Sequence, residues 1–256
     1  MMQKQELFTH IENYCKELKL PAMRSNFSEE IAEANQKNYS YEQFLYQLLQ
    51  QESDLRRENG KKSRIRLANF PSKKYLEDLV IEELPEDAQN KLNQLSSLEF
   101  IKTGQNVILA GNAGTGKSHL ATGLGIKACM EGYKVLFVTI PSLVNQLKES
   151  RSNKTLRSFE NKFEKYDLVI ADELGYISFD KEGSELLFTH LSLRAGRKST
   201  IITSNLSFER WEEIFKDPVM TAAMIDRLTH KSYVINMNGN SFRLKETQQW
   251  LNNKED

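Results

Sequence analysis

The run Val107-Ile108-Leu109-Ala110-Gly111-Asn112-Ala113-Gly114-Thr115-Gly116-Lys117-Ser118-His119-Leu120-Ala121 decides the fold. Four apolar residues of strand character lead into Gly111–Ser118, which matches G-x-x-x-x-G-K-[ST] at every fixed position, and a helix opens behind it. A phosphate chain needs backbone N–H groups close on several sides, and glycines at 111, 114 and 116 leave that backbone bare. The N-terminus of the following helix adds partial positive charge. Lys117 is placed to reach the β- and γ-phosphates, and the Ser118 hydroxyl to ligate Mg²⁺. Gly111, Asn112, Ala113, Gly114, Thr115, Gly116, Lys117 and Ser118 are therefore the expected ATP-binding residues. Such a loop does not by itself separate an ATPase from a kinase or a GTPase.

Four further β-rich runs share the period of the first, Asn106–Ala110. They are Lys134–Thr139, Asp167–Ala171, Ser199–Ser204 and Tyr233–Met237. Most are continuous apolar runs, as strands buried on both faces require. Helical stretches such as Ser118–Glu131 and Ser142–Glu149 fill the gaps. The expected fold is α/β, a five-stranded parallel sheet with helices on both faces.

The third run ends in Asp172-Glu173. An acidic pair at the end of a buried strand is costly unless each carboxylate has a task or a partner. Asp172 is placed to hold Mg²⁺ with Ser118, and Glu173 is the natural general base for an attacking water. Asn205 follows the fourth strand on the edge that carries the phosphate loop, where it can orient that water. Arg227, in Ala223-Met224-Ile225-Asp226-Arg227-Leu228, reads either as a local structural cation or as a finger entering a neighbouring subunit's site.

Upstream the pattern is helical. Leu7, Ile11, Tyr14 and Leu18 form one stripe, Phe27, Ile31 and Ala34 a second, and Tyr41, Phe44, Leu45, Leu48 and Leu49 a third. Core packing is the expected role of all three. Ser40 and Gln43 have the spacing of a capping box. From Arg56 to Lys74 the charges are Arg56, Arg57, Lys61, Lys62, Arg64, Arg66, Lys73 and Lys74 against Glu58 alone, a local net charge of +7. The segment Glu77–Asp87 is purely acidic. That reversal puts the expected boundary at Pro71, with residues 1–70 a small all-helical DNA- or partner-binding domain and 71–256 the ATPase domain.

Lys+Arg and Asp+Glu number 35 each, which argues against a polycationic coat but not against local basic patches. Two cysteines are too few for a disulfide scaffold or a cysteine zinc site. No apolar run approaches the ~20 residues that span a bilayer, and the start lacks a secretory apolar region. A cytoplasmic protein without a membrane partner is expected.

The segments GNAGTGKSHLA (111–121), DELGY (172–176), STIITSNL (199–206), DRLTH (226–230) and GNSFRLK (239–245), with LPAM (20–23) and LLQQESDLRR (48–57), are similar to the IstB-type AAA+ ATPases. These are helpers of insertion-sequence transposition and relatives of the DnaC helicase loaders. The resemblance implies an AAA+ sheet with the phosphate-loop strand central, ATP-driven self-oligomerisation on DNA through the ATP sites, and a transposase partner. It implies Asn205 as the γ-phosphate sensor and Arg227 as the inter-subunit finger. The 29 residues after Arg227 leave no room for a separate lid domain, so a neighbouring protomer is expected to help close the site.

Two basic patches are candidates for largely sequence-independent contact with double-stranded DNA. One holds Arg56, Arg57, Lys61, Lys62, Arg64 and Arg66. In the other, Lys148, Arg151 and Lys154 recur every three residues and are expected to form a helical ridge. A solvated helix face is the ordinary reading of either run. A replicative helicase loader of the DnaC/DnaI type, a P-loop small-molecule kinase and a scaffold in which ATP only joins subunits remain as alternatives.

Overall fold

The computed structural model describes residues 3–252. Its contacts divide the chain into two units, Met1–Ser63 and Arg64–Asp256. No helix among the described residues is long and apolar enough to cross a membrane.

The first unit holds α1 (Lys4–Glu17), α2 (Pro21–Lys37) and most of α3 (Tyr41–Leu67). The Ser40–Gln43 box forms as read: Gln43 N–H donates to Ser40 Oγ at 3.3 Å, and Ser40 N–H to Gln43 Oε1 at 3.0 Å. Glu52, 4% exposed, accepts the amides of Ala22 and Met23 at the start of α2, 2.9 and 3.3 Å away. It also pairs with Arg56 at 3.0 Å. A carboxylate is favoured at a helix N-terminus, where amides lack intrahelical acceptors.

The apolar stripes correct an expectation. Cys15, Ala22, Phe27 and Leu48 form the buried centre, with the Phe8 ring edge-on to Phe27 at 5.2 Å. Leu7, Tyr14 and Leu18 of α1 and Tyr41, Leu45 and Leu49 of α3 are exposed. Three helices enclose too little volume to bury every stripe they carry.

The second unit runs α4 (Glu86–Ser96), α5 (Glu99–Lys102), β1 (Val107–Ala110), α6 (Lys117–Met130), β2 (Val135–Thr139), α7 (Ile140–Ser152), α8 (Leu156–Phe163), β3 (Leu168–Leu174), α9 (Lys181–Arg194), β4 (Ser199–Ser204), α10 (Glu212–Phe215), α11 (Pro218–Thr229), β5 (Tyr233–Asn236) and α12 (Phe242–Asn252). The unit starts before Pro71 because the chain there is already tied in. Arg64 Nε donates to Cys129 O at 2.7 Å, Phe137 N–H donates to Ala68 O at 2.7 Å, and Phe70 packs on Phe137.

The strands form one parallel sheet in the order β2-β3-β4-β1-β5. β1 is interior, between β4 and β5, rather than the middle strand. Side chains alternate between two cores. Val107, Leu109, Leu168, Ile170 and Ile201 pack with α4 and α6 residues such as Leu95, Leu120 and Leu124. Ile108, Val169, Ala171 and Ile202 pack with α7, α9 and α11 residues such as Leu143, Leu187 and Leu228. Burial on both faces is why the runs read as continuous rather than alternating.

A buried cation fastens the edge of the sheet opposite the phosphate loop. Arg194, 3% exposed, donates to Phe163 O and Tyr166 O at 3.0 Å and to Ser199 O at 3.1 Å, and its guanidinium lies 5.2 Å from the Phe163 ring centre. Burial pushes its pKa down to about 10. Arg194→Met removes the guanidinium's three bonds to backbone carbonyls, with Phe163 O keeping only the Tyr166 N–H at 3.4 Å, so it is expected to cost at least ~2 kcal/mol in urea unfolding; a midpoint equal to the parent's would refute the strap.

Candidate active site

The phosphate loop leaves β1 at Gly111 and enters α6 at Lys117. Gly116, at φ +89°, turns the chain into the helix. Phosphate access is not the only demand on its glycines. A Cβ on Gly111 would lie 2.2 Å from the Met237 carbonyl carbon, and one on Gly114 would lie 2.1 Å from Ser241 Oγ. The chain beyond β5 therefore presses on the loop from the outside. Phe242 N–H donates to Gly114 O at 2.9 Å, and Asn112 N–H to Asn238 Oδ1 at 3.2 Å.

Lys117 is 9% exposed and folds back onto the loop, donating to Gly111 O at 2.6 Å and to Asn112 O. Burial pushes its pKa down to about 8, against the pull of Asp172 and with help from Arg243. Ser118 and Lys117 occupy the first turn of α6, where amides have no intrahelical acceptor.

Ser118 Oγ donates to Asp172 Oδ1 at 2.9 Å, so the two expected metal ligands meet. Both present oxygen, the donor that Mg²⁺ prefers, and two protein ligands with phosphate and water are its usual arrangement. The residues present fit that ion. Among the described residues no group of three or more His, Cys, Asp or Glu is placed to hold a metal by itself.

The acid pair is not the end of its strand. β3 continues to Leu174, and its pairing with β4 slips from Ala171↔Ile202 to Leu174↔Ser204. Asp172 and Glu173 thus face the single residue Thr203, which is a β-bulge. Asp172 is 5% exposed, while Glu173 takes φ +69° and is exposed. That conformation costs a non-glycine residue roughly 1–2 kcal/mol. The bulge re-aims Glu173 out of the ordinary strand alternation.

A cleft of about 460 Å³ runs from this loop between the acidic segment and α12. Lys117 and Ser118 lie at one end, with Leu79, Val80 and Leu84 as apolar walls and Phe242 and Arg243 from α12. Asp78, Glu83 and Glu246 also line it, so its charge is mixed, and the phosphate-binding end is set by the Gly114–Ser118 loop and Lys117. Sequence reading missed these walls. The acidic segment stands out in the sequence only by its charge, and nothing in GNSFRLK marks Phe242 and Arg243 as cleft residues.

Asn205 lies beside the bulge, where a Cβ on Gly175 would approach its Oδ1 to 2.6 Å. That Oδ1 is buried and without a hydrogen-bond partner among the described residues. Arg227 is exposed on α11, its guanidinium 5.0 Å from the Phe188 ring centre; Asp172, Glu173, Asn205 and Arg227 are all outside the lining of the cleft.

The basic candidates separate. Arg56 and Arg57 pair with Glu52 and Asp54, Lys61 pairs with Glu58 at 2.7 Å, and Arg64 is spent on Cys129 O. Lys62 and Arg66 are exposed and in no ion pair among the described residues. The expected ridge does not form. α7 ends at Ser152, Lys154 follows at φ +57°, and Lys148 and Arg151 pair with Asp180 and Glu182 at 2.6 and 3.4 Å.

The family pattern described as IstB-like ATP binding protein matches residues 13–250. The chain belongs to that family. It is 35% identical over 236 residues to the insertion sequence IS5376 putative ATP-binding protein of Geobacillus stearothermophilus, covering 92% of this chain and 94% of that one. It is also 35% identical over 229 residues to the insertion sequence IS21 putative ATP-binding protein of Pseudomonas aeruginosa, covering 90% and 86%. Two solved structures share the fold. AMPPCP-bound DnaA of Aquifex aeolicus gives a TM-score of 0.56 at 19% identity, over 72% of this chain and 56% of that one. DnaI gives 0.54 at 20% identity, over 69% and 93%. The IstB-like chain is thus an ATPase with an AAA+ P-loop fold.

Lys117→Ala is expected to weaken ATP binding by about 10- to 150-fold, the worth of one hydrogen bond to a charged group. A titration with fluorescent ATP checks it, and an affinity within about twofold of the parent's would contradict the assignment.

Proposed function

We propose that this ATPase assembles on double-stranded DNA through its ATP sites and assists a transposase in insertion-sequence transposition, acting in the cytoplasm. The observation that carries the reading is that Arg227 is exposed on α11 and makes no ion pair among the described residues. The phosphate loop, Asp172 and Glu173 lie together, while Arg227 is exposed on α11. An exposed arginine of this kind is available to a triphosphate on a second copy, where it offsets charge that builds up on the transferred phosphoryl group. The insertion-sequence origin of the relatives supports the transposition setting. The likeness to DnaI is one of fold, and it does not favour the helicase-loader alternative.

In this reading the Gly111–Ser118 loop binds the phosphates and Lys117 turns from its loop carbonyls to the β- and γ-phosphates. Ser118 and Asp172 would hold Mg²⁺, which supplies positive charge against the phosphate oxygens. Glu173 takes a proton from the attacking water, and Asn205 orients that water with its side-chain amide. DNA is met mainly by phosphate-backbone contacts, with Lys62, Arg66 and Lys154 the candidates in no ion pair among the described residues, of which Lys62 and Arg66 share α3.

Glu173→Gln is expected to lower turnover by at least about 100-fold while ATP-bound assemblies on DNA persist in size-exclusion chromatography. Arg227→Ala is expected to bind ATP and fail to hydrolyse it. Mixing the two variants restores part of the turnover if the finger works in trans; no recovery at any ratio would refute the shared site. A parent protein that stays monomeric with Mg·ATP and duplex DNA at low salt would sink the assembly itself. Charge reversal at Lys62 and Arg66 together is expected to weaken duplex binding and to flatten its salt dependence by about two counterions.

A further inference from the structure

Building on the reading of Glu173 as the base, we propose that Thr203 is a positioning residue for hydrolysis, its hydroxyl fixing both the Glu173 backbone and the Asp172 carboxylate. Thr203 lies in β4, 2% exposed, opposite the bulge. Glu173 N–H donates to its Oγ1 at 3.0 Å, and that hydroxyl donates to Asp172 Oδ1. A hydroxyl has one proton and two lone pairs. With the Glu173 amide on one lone pair, the hydroxyl proton remains to be donated to the Asp172 carboxylate. Ser118 Oγ donates to the same oxygen. One side chain thus ties the strand that carries the base to the residue that joins the phosphate loop.

The need for such a tie follows from the bulge. Where the ladder slips, Glu173 loses its regular β4 partner, and its φ of +69° is one that a glutamate does not adopt unaided. The Thr203 hydroxyl replaces the missing acceptor. Without it, Glu173 relaxes toward extended backbone, and its carboxylate swings toward the other face of the sheet, because side chains alternate along a strand. A β-branched residue of the same size would satisfy the core packing at this position. Only the hydroxyl serves the two acids.

Thr203→Val keeps shape and branching and removes both bonds. Its kcat is expected to fall about 100-fold, the scale of a roughly 1 Å misplacement of a reacting group. Its Kd for fluorescent ATP is expected to stay within about threefold of the parent's, and Thr203→Ser to recover kcat to within about threefold. In a Glu173→Gln background, Thr203→Val is expected to slow the residual rate by clearly less than its about 100-fold effect alone, because the part that acts through the base is already gone and only the Asp172 part remains. A parent-like kcat in Thr203→Val, a Thr203→Ser as slow as Thr203→Val, or a full loss added on top of Glu173→Gln would each overturn the proposal. If thermal melting shows that Thr203→Val does not fold, Thr203→Cys carries the same comparison: lowered kcat at unchanged ATP affinity is expected, and parent-like kcat overturns it. A Glu173→Gln protein that hydrolyses at the parent's rate refutes the base assignment. A parent rate in Thr203→Val beside an inactive Glu173→Gln refutes the role of Thr203 alone.

Discussion

Asp172 is a carboxylate held almost out of solvent at the carboxyl edge of a parallel sheet, and the end of the phosphate loop and the β3 bulge both depend on that constraint. A buried charge is tolerable only with partners. Here the partners are the hydroxyls of Ser118 from α6 and Thr203 from β4. Two elements that flank β3 are thereby tied to it, at the point where its pairing with β4 slips. The same carboxylate keeps the nearby Lys117 ammonium from losing still more of its basicity to burial. A lysine, a serine and two acids that lie far apart in the chain become one electrostatic unit.

Much of this was legible in the sequence because it depends on local pattern. Continuous apolar runs gave five strands, each within a residue or two of its observed start, because burial on both faces leaves little choice of residue. The phosphate loop was legible for the same reason: glycine, lysine and serine at fixed spacing have few other uses. The bulge was not. Asp172-Glu173 looks like a strand end, and only the slip against β4 reveals that the strand continues to Leu174. A register is a relation between two segments, and no single segment records it.

The other departures have the same origin. Stripes on α1 and α3 show that those helices are amphipathic, but not whether enough partner surface exists to cover them. Charge counting found Lys148 and Arg151 without seeing Asp180 and Glu182, which are remote in sequence and adjacent in space. The acidic stretch before α4 was informative as a change of sign, yet its apolar residues Leu79, Val80 and Leu84 are what wall the cleft.

The contact of Met237, Asn238, Ser241 and Phe242 with the phosphate loop has a consequence for synthesis. The loop is made more than a hundred residues before the segment that braces it. A chain still threading from the ribosome therefore has its glycines but lacks their support until β5 and the start of α12 have emerged. Such a late, long-range closure is slow to form.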